Sequence, residues 1–335
     1  MDMDKGKIVC FGELLLRLSP NMDRDWTSQD ALPFYIGGAE LNVATALANW
    51  QIPVSYVTAL PDNYLSQQIS GYISSKNIQA DNILFSGNRM SIYYLPVGLD
   101  VKHNSVIYDR DHSSFADLKP GTINWDGVFE GCTWFHFSAI SPALNKNSAA
   151  VCKEALEAAS AKGITISVDL NYRSKLWQYG CEPISVMPDL VAYCNVIMGN
   201  IWAVDSLLGI TSPVDDSDGK TQQELTDAAA ASMALVQLKY PRAATLAYTY
   251  RLQDNYFAVV KKDSEAAASK YYTIPEIKDR VGSGDCFMAG LIYGLHKDYD
   301  ADFIANYAAA AAVGKLQEAG DATKQSIENV EKRMI

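Results

Sequence analysis

Residues 279–287 read DRVGSGDCF and lead into a strongly helical run. Gly282 and Gly284 lie at the start of this run, where backbone N–H groups can approach an anion without a Cβ in the way. The helix dipole adds partial positive charge at the same place. The stretch therefore predicts a phosphate-sized cradle at the N-terminus of a helix over Val281–His296.

A carboxylate, Asp285, directly follows the second glycine of the cradle. In the first helical turn it could accept a proton from an attacking hydroxyl group beside a bound phosphate. Cradle and base together suggest phosphoryl transfer. The residues alone leave a second interpretation equally open, in which the glycines soften a turn and Asp285 is an ordinary first-turn acid.

Two other nucleotide-binding motifs are excluded. Phe287 stands where G-x-G-x-x-G requires its third glycine, and the segment does not follow the first strand of the chain. Residues 219–221 read GKT like the end of a P-loop, but Val214 occupies the place of the first glycine and acidic residues fill the interval.

A second glycine pair, Gly37 and Gly38, precedes another helical run near the N-terminus. Such a pair permits close approach of a polyhydroxy ligand, and the amide of Asn42, one turn later, offers both a donor and an acceptor to hydroxyl groups. Alone, this pattern is nonspecific.

Short β-branched or aromatic runs alternate with longer helical patterns along most of the chain, which is typical of βαβ units and a largely parallel sheet. The predicted strands are Lys7–Phe11, Val54–Ala59, Trp134–Ser138, Ile164–Asp169, Val196–Met198 and Ala244–Thr249. The other predicted helices are Ala39–Trp50, Ser148–Lys162, Glu224–Lys239 and Ala301–Gln317.

Two stretches interrupt this alternation, Leu14–Ile36 and Met90–Tyr108, the second with a turn region at Gly98–Ser105. They predict extra strands outside the main sheet. Thr211–Gln223 and Lys261–Ser269 are predicted as exposed loops from their composition. No repeat or interdomain linker is evident, so the 335 residues are interpreted as one main domain.

Composition narrows the class of protein further. With 48% hydrophobic and 20% charged residues the chain can bury a sizeable core. A net charge of -11 argues against nucleic acid as a partner. A small anionic substrate stays possible, because a few arginines and helix N-termini can hold an anion on an acidic protein.

Six scattered cysteines show no zinc-binding spacing and are interpreted as reduced thiols. The acidic N-terminus lacks the basic region of a signal peptide, and no apolar run has the length of a membrane span. We expect a cytoplasmic protein with no membrane association.

The GGAELNVA stretch at residues 37–44, followed far downstream by residues 279–285, resembles the two signature regions of the PfkB, or ribokinase-like, family of sugar kinases. Further details are similar to the branch of the family that acts on 2-keto-3-deoxygluconate. They are Phe11–Leu18, Tyr93-Tyr94, Tyr108-Asp109-Arg110 and Asp169–Trp177. The resemblance spans nearly the whole chain.

The resemblance implies a three-layer α/β/α domain over residues 1–335, with a mainly parallel central sheet and a small β-sheet lid formed by about 14–36 and 90–110. It implies ATP as phosphoryl donor and Mg²⁺ as counter-ion, and it leaves a monovalent cation possible. A homodimer through the lid is also expected from it.

The resemblance also implies roles for individual residues. Asp285 would be the base, and the backbone of Gly282, Ser283 and Gly284 would form the anion hole. The acceptor site would contain Gly38, Asn42, Tyr94, Tyr108, Arg110 and Arg173. Asn200 and Asn306, with Gly282 and Gly284, would contact the nucleotide, and no metal ligand is assigned.

Three positions depart from the family pattern. Ala203 stands where an Asn-x-x-Glu motif beginning at Asn200 would have its acid, and the nearest acid is Asp205. Arg280 replaces a threonine before the glycines, and residues 315–318, KLQE, depart from the expected pattern before Gly320-Asp321. The first departure puts the metal-linked carboxylate in doubt.

Arg110 and Arg173 each carry a planar guanidinium group that can bind both oxygens of a carboxylate, so they suit a carboxylate better than a neutral sugar. The expected activity is therefore ATP-dependent phosphorylation of a sugar acid, with 2-keto-3-deoxygluconate giving 2-keto-3-deoxy-6-phosphogluconate. Alternatives are a kinase for a neutral ketose such as fructose, or a catalytically weak sugar-acid-binding paralogue. Tyr94 and Tyr108 could instead be lid core, and Arg110 could pair with Asp109 or Asp111.

Overall fold

The computed structural model describes residues 6–22, 25–99, 106–274 and 276–335. Its centre is a sheet of the strands β1 (Lys7–Phe11), β4 (Val54–Leu60), β5 (Ile78–Gln79), β6 (Ile83–Phe85), β9 (Cys132–Ser138), β10 (Thr165–Asp169), β11 (Val196–Gly199), β12 (Thr245–Arg251), β13 (Asn255–Lys262), β14 (Glu265–Ala268) and β15 (Tyr272–Thr273). Their order in the sheet is β14-β13-β12-β11-β10-β9-β1-β4-β5, with β6 paired to β4 and β15 to β13.

The strands β12, β11, β10, β9, β1, β4 and β5, which are neighbours in this order, run parallel to one another, and β6 is parallel to β4. The strands β13, β14 and β15 add an antiparallel edge. Parallel strands covered on both faces carry nearly continuous apolar sequence, and β4 is buried along its whole length. This is why short β-branched runs were sufficient to predict these strands.

Helices cover both faces of the sheet. One apolar core lies under α3 (Trp125–Val128), α4 (Lys146–Ala161), α5 (Met187–Val191), α6 (Ile201–Leu208) and α7 (Gln222–Lys239). The other lies under α1 (Ala39–Asn49), α2 (Tyr64–Ser75), α8 (Ser283–His296), α9 (Ala301–Leu316) and α10 (Ile327–Met334). The predicted α/β/α layering is confirmed.

Helices α8 and α9 approach each other closely because small residues line their contact. Ala308 to Ala312 are fully buried in α9. A Cβ added to Gly290 of α8 would lie 2.7 Å from the Cα of Ala308. The packing fixes α8, whose N-terminus is the predicted cradle, against the last long helix of the domain.

A separate four-stranded sheet has the order β3-β2-β7-β8, with β2 (Leu15–Leu18), β3 (Phe34–Gly37), β7 (Ser91–Tyr94) and β8 (Ile107–Asp109). We call it the lid. It matches the two stretches predicted to form strands outside the main sheet. Residues 23–24 and 100–105 of those stretches, which include most of the predicted Gly98–Ser105 turn, lie outside the described residues.

Most predicted elements agree with the structure to within two residues, but Lys261–Ser269 is not the exposed loop expected from its composition. Strand β13 continues to Lys262, and Glu265–Ala268 pairs with it as β14. Three alanines have little strand propensity, and pairing with β13, whose Val259 and Val260 are buried, determines their conformation. Helix α8 begins at Ser283 because Gly282 adopts φ 81°, outside the helical range.

Candidate active site

A cavity of about 710 Å³ opens between the lid and the carboxyl edge of the parallel strands. Asp169, Gly199 and Arg251, which end three neighbouring strands, all line it. This edge is where open α/β sheets bind ligands. The predicted site residues that line the cavity are Gly38, Asn42, Tyr108, Arg110, Arg173, Asn200, Gly282, Ser283, Gly284 and Asp285.

Asp285 lies in the first turn of α8 with 8% of its surface exposed. Asn42 Nδ2 donates a 2.7 Å hydrogen bond to Asp285 Oδ2, so α1 orients the carboxylate. Burial raises the pKa of Asp285 to about 6, while the Asn42 hydrogen bond, Arg173 and Lys315 act in the opposite direction. The carboxylate is therefore basic enough to receive a proton and is still ionised at neutral pH.

The cradle at residues 282–284 has two glycines with different surroundings. Gly282 has φ 81°, and a Cβ there would lie 1.9 Å from the backbone oxygen of Asp321. A Cβ on Gly284 would meet no atom within 4 Å. The space beside Gly284 is thus free for a ligand, and N–H groups at a helix N-terminus suit an anion such as a nucleotide phosphate.

Buried charges hold the loop that forms the cradle. Asp279 accepts hydrogen bonds from the backbone N–H groups of Val281 (3.1 Å) and Gly320 (3.2 Å). Arg17 of β2 contacts the same carboxylate with both terminal nitrogens, at 3.2 and 2.6 Å. Its Nε lies 2.8 Å from Asp321 Oδ1. This arginine ties the lid to the cradle loop.

Alternation along the lid strands decides which aromatic residues face the cavity. Tyr93 and Tyr108 are paired in register, with ring centroids 6.1 Å apart, and both line the cavity. Tyr94 was predicted to contact the acceptor, but it is not among the residues lining the cavity and stacks on Trp26 at 6.3 Å. Successive side chains of a strand point to opposite faces, so Tyr93 faces the cavity and Tyr94 does not.

Arg110 also differs from one expectation. It pairs with neither neighbouring aspartate; Glu13 Oε2 lies 2.7 Å from its Nε and 2.5 Å from its Nη2. The other oxygen of Glu13 accepts 2.5 Å hydrogen bonds from Ser91 and Ser113. Glu13 therefore fixes Arg110 at the cavity wall and offsets much of its charge.

Asn306, predicted to contact the nucleotide, lies elsewhere and is not among the residues lining the cavity. In α9 its Oδ1 accepts a 2.9 Å hydrogen bond from the backbone N–H of Lys270. Its backbone oxygen accepts one from the hydroxyl of Tyr272 at 3.2 Å. These contacts hold the antiparallel edge of the sheet against the helix.

Three carboxyl groups with raised pKa values act on one another at the cavity: Asp169 and Asp285 line it, and Glu40 is buried beside them. Burial, with the charge of Asp285, raises the pKa of Asp169 to about 8, and Arg173 acts in the opposite direction. Burial likewise raises the pKa of Glu40 to about 7, although Ser138 donates hydrogen bonds to it from its backbone and hydroxyl groups. Arg173, which lines the cavity, acts to lower the pKa of both Asp169 and Asp285.

Asn200 caps α6, and its Oδ1 accepts a 2.8 Å hydrogen bond from the backbone N–H of Ala203. Ala203 lines the cavity, whereas Asp205 is exposed and does not. Within the described ranges no group of three His, Cys, Asp or Glu side chains could hold a metal ion. Mg²⁺ commonly binds through one or two protein oxygens plus substrate phosphates, an arrangement that does not require a cluster of three side chains.

Several residues of the site received no role from the sequence. Glu13, Arg17 and Asp169 all lie in stretches that resemble the family, yet only their pairing across the fold shows what they contact. An acid at the end of a predicted strand was the one available signal for Asp169. No helix in the described part of the chain is apolar and long enough to span a membrane.

Comparisons with known proteins agree with this geometry. The profile described as pfkB family carbohydrate kinase matches residues 5–328. The crystal structure of 2-dehydro-3-deoxygluconokinase from Thermotoga maritima is 35% identical, with a TM-score of 0.88, over 98% of this chain and 99% of that one. A fructokinase from Xylella fastidiosa with bound ATP shares the fold, at 20% identity and a TM-score of 0.76 over 99% and 98% of the two chains.

Among curated proteins, 2-dehydro-3-deoxygalactonokinase from Haloferax volcanii is 31% identical over 171 residues. The match covers 51% of this chain and spans about half, 54%, of that relative.

Proposed function

Because the chain belongs to the pfkB family of carbohydrate kinases, we propose that it transfers the γ-phosphoryl group of ATP to a sugar acid. The specific acceptor we propose is the primary hydroxyl of 2-keto-3-deoxygluconate, giving 2-keto-3-deoxy-6-phosphogluconate. The observation that carries the proposal is one cavity containing both Asp285 with the glycine cradle and Arg173. The likeness to the Thermotoga maritima enzyme supports the same acceptor.

The residues have separate tasks in this reaction. The acceptor oxygen bonds to the γ-phosphorus as the bond from that phosphorus to ADP breaks, and Asp285 receives the hydroxyl proton. Asn42 orients Asp285. The N–H groups of the cradle stabilise charge on the transferring group.

We propose Mg²⁺ with ATP, where it would neutralise phosphate charge during transfer. The need for a monovalent cation is tested by measuring ADP release while sodium, potassium and ammonium salts are exchanged. We place the reaction in the cytoplasm, and the six free cysteines, which form no disulfide, suit a reducing compartment.

Arg173 is the main candidate to bind the carboxylate of the acceptor. Glu13 offsets the charge of Arg110, whereas Arg173 lies near the carboxyl groups of Asp169 and Asp285. The pairing of Arg110 with Glu13 also supports a second candidate, a kinase for a neutral ketose such as fructose. The test is ADP release with 2-keto-3-deoxygluconate, 2-keto-3-deoxygalactonate, gluconate, fructose and ribose offered in parallel.

We expect a preference for a keto-deoxy acid. Preference for fructose or ribose would contradict the proposed acceptor but would still support the proposed phosphoryl transfer. Saturable binding of a sugar acid without turnover would instead favour a catalytically weak paralogue. Ala203→Glu would then be the first variant to test for restored turnover, because Ala203 occupies the place of an acid.

Replacing Arg173 with Met is expected to raise KM for the keto-deoxy acid about 10- to 100-fold, because a charge-assisted contact to the carboxylate is lost. KM for ATP should change little. The matched control is Arg242→Met, since Arg242 lies outside the cavity and contacts Ser160 at the surface. An unchanged KM for the acid in Arg173→Met would remove the support for a carboxylate-binding role.

We propose a homodimer through the lid. The face opposite Tyr93 and Tyr108 carries a row of apolar residues, in register across all four strands: Phe34, Leu18, Tyr94 and Ile107. The two members on the edge strands are exposed, Phe34 to 55% and Ile107 to 51%. Such a row on a small sheet suits burial against a second copy.

Sedimentation of the wild-type chain is expected to give twice the mass of one chain, and Phe34→Glu should shift it to the monomer. Leu238→Glu is the control, because Leu238 is 82% exposed on α7, away from the lid. A wild-type protein that sediments as a monomer at all concentrations would contradict the proposed dimer.

A further inference from the structure

Lys315 is the only buried lysine in the part of the chain that the structure describes, with 0% of its surface exposed. It lies in the last turn of α9, and its Nζ donates a 3.2 Å hydrogen bond to the backbone oxygen of Glu318. Burial of an ammonium group is costly unless something uses or balances its charge. The proposed reaction assigns this side chain no direct contact with substrate.

The stem of Lys315 runs directly behind the cradle. Its Cε lies 3.3 Å from the position that a Cβ on Gly282 would occupy. Lys315 is not among the residues that line the cavity, so Gly282 separates it from any ligand there. A positive charge at this place acts on a bound anion through the wall of the cradle.

Acidic groups around Lys315 help to keep it charged. Burial lowers its pKa, and nearby carboxyl groups act in the opposite direction: Asp279, Glu318 and Asp321. Two of these acids, Asp279 and Asp321, already have a cationic partner in Arg17. One arginine balances only one of these two carboxylates, so Lys315 supplies the second positive charge of the buried group behind the cradle.

We propose that Lys315 is a positioning residue whose fixed positive charge, held behind Gly282, strengthens the attraction of the cradle for the phosphoryl group. The expected effect of Lys315 on turnover rests on the proposed phosphoryl transfer. The expected effect of Lys315 on anion binding does not, because its charge acts on any phosphate in the cradle. In low dielectric surroundings such a charge is screened little by solvent.

The experiment compares Lys315→Met and Lys315→Gln with the wild type. Met fills a similar volume without charge, and Gln keeps an N–H donor for the Glu318 oxygen. Both are expected to bind the non-hydrolysable ATP analogue AMP-PNP, with magnesium, about 10-fold or more weakly in calorimetry and to lose about 10- to 100-fold in kcat. KM for the sugar acid should change less than twofold.

The pH profile provides a readout that a merely structural role would not move. Lys315 lowers the pKa of Asp285, so its removal should shift the acid limb of kcat/KM to higher pH. The other groups that act on Asp285 remain in place in these variants: Asn42, Arg173 and Asp321 on Asp285 directly, and Asp169 and Glu40 beside it.

Lys324→Met is the matched control, since Lys324 is exposed on the same C-terminal loop, and it should behave as wild type in every assay. If Lys315→Met does not fold, Lys315→Gln carries the test alone. Wild-type AMP-PNP affinity and an unmoved acid limb in a folded variant would overturn the role of the charge. If the wild type phosphorylates no sugar, the proposed function fails, while weakened AMP-PNP binding would still support Lys315.

Discussion

Asp285→Asn is expected to lower kcat by about 10²- to 10⁴-fold, the usual contribution of a general base, with KM values little changed. Asn has nearly the shape of Asp, and its side-chain oxygen can still accept the hydrogen bond from Asn42. The variant therefore removes the proton acceptor and keeps the geometry. The measurement is steady-state ADP release with the preferred acceptor. A kcat within threefold of wild type would show that another group takes the proton.

Stability provides the control for this variant. The pKa of Asp285 is about 6 in the fold, above its ordinary value of 3.8. The folded chain thus binds this proton more tightly than the unfolded chain, and ionisation of Asp285 costs stability as pH rises from about 4 through 6. Asp285→Asn should melt at or above the wild-type temperature at pH 8, and the difference should shrink at pH 4. A lower melting temperature at pH 8 would mean that lost packing contributes to any loss of turnover.

The same pKa predicts how wild-type activity depends on pH. Below about pH 6 Asp285 becomes protonated and can no longer act as a base, so kcat/KM should fall on the acid side.

Gly282→Ala is expected to have the second large effect, a loss of about 100-fold or more in kcat/KM together with a lower melting temperature. The added methyl group would lie 1.9 Å from the backbone oxygen of Asp321, and alanine at φ 81° is strained. The loop at residues 320–321 or the cradle must move to relieve the contact. Movement of the cradle would displace the N–H groups that we propose bind the phosphate, and movement of the loop would disturb the hydrogen bond from Gly320 to Asp279 that helps to hold the cradle loop. Wild-type melting and turnover would contradict this account of the cradle.

Gly284→Ala is the matched variant, two residues away. No atom lies within 4 Å of the new methyl group, so the melting temperature should equal that of the wild type. The methyl group would point into space that we assign to the nucleotide, and KM for ATP should rise about 10-fold. Unchanged KM for ATP would place the phosphates elsewhere in the cavity.

Six parallel strands, the helices α1, α4, α7, α8 and α9, and the glycine start of α8 could be predicted because buried parallel strands and helix starts have strong local patterns. What could not be predicted depends on side-chain direction and on contacts between distant segments. Tyr93 and Tyr94 are adjacent and alike, and only the register of the lid decides which faces the cavity. The partner of Arg110 is Glu13, 97 positions away, whereas the sequence offers two closer aspartates. Glu265–Ala268 forms a strand because β13 pairs with it.

The contact between Arg17 and Asp279 joins residues 262 positions apart in the chain. During synthesis the lid strand that carries Arg17 is made first, and Asp279 of the cradle loop follows 262 residues later. Contacts of such sequence separation form late, since a long loop must close before they contribute. Until then Arg17 has neither of its carboxylate partners. A nascent chain therefore cannot bring Arg17 and the cradle loop together before residues 279–321 have emerged.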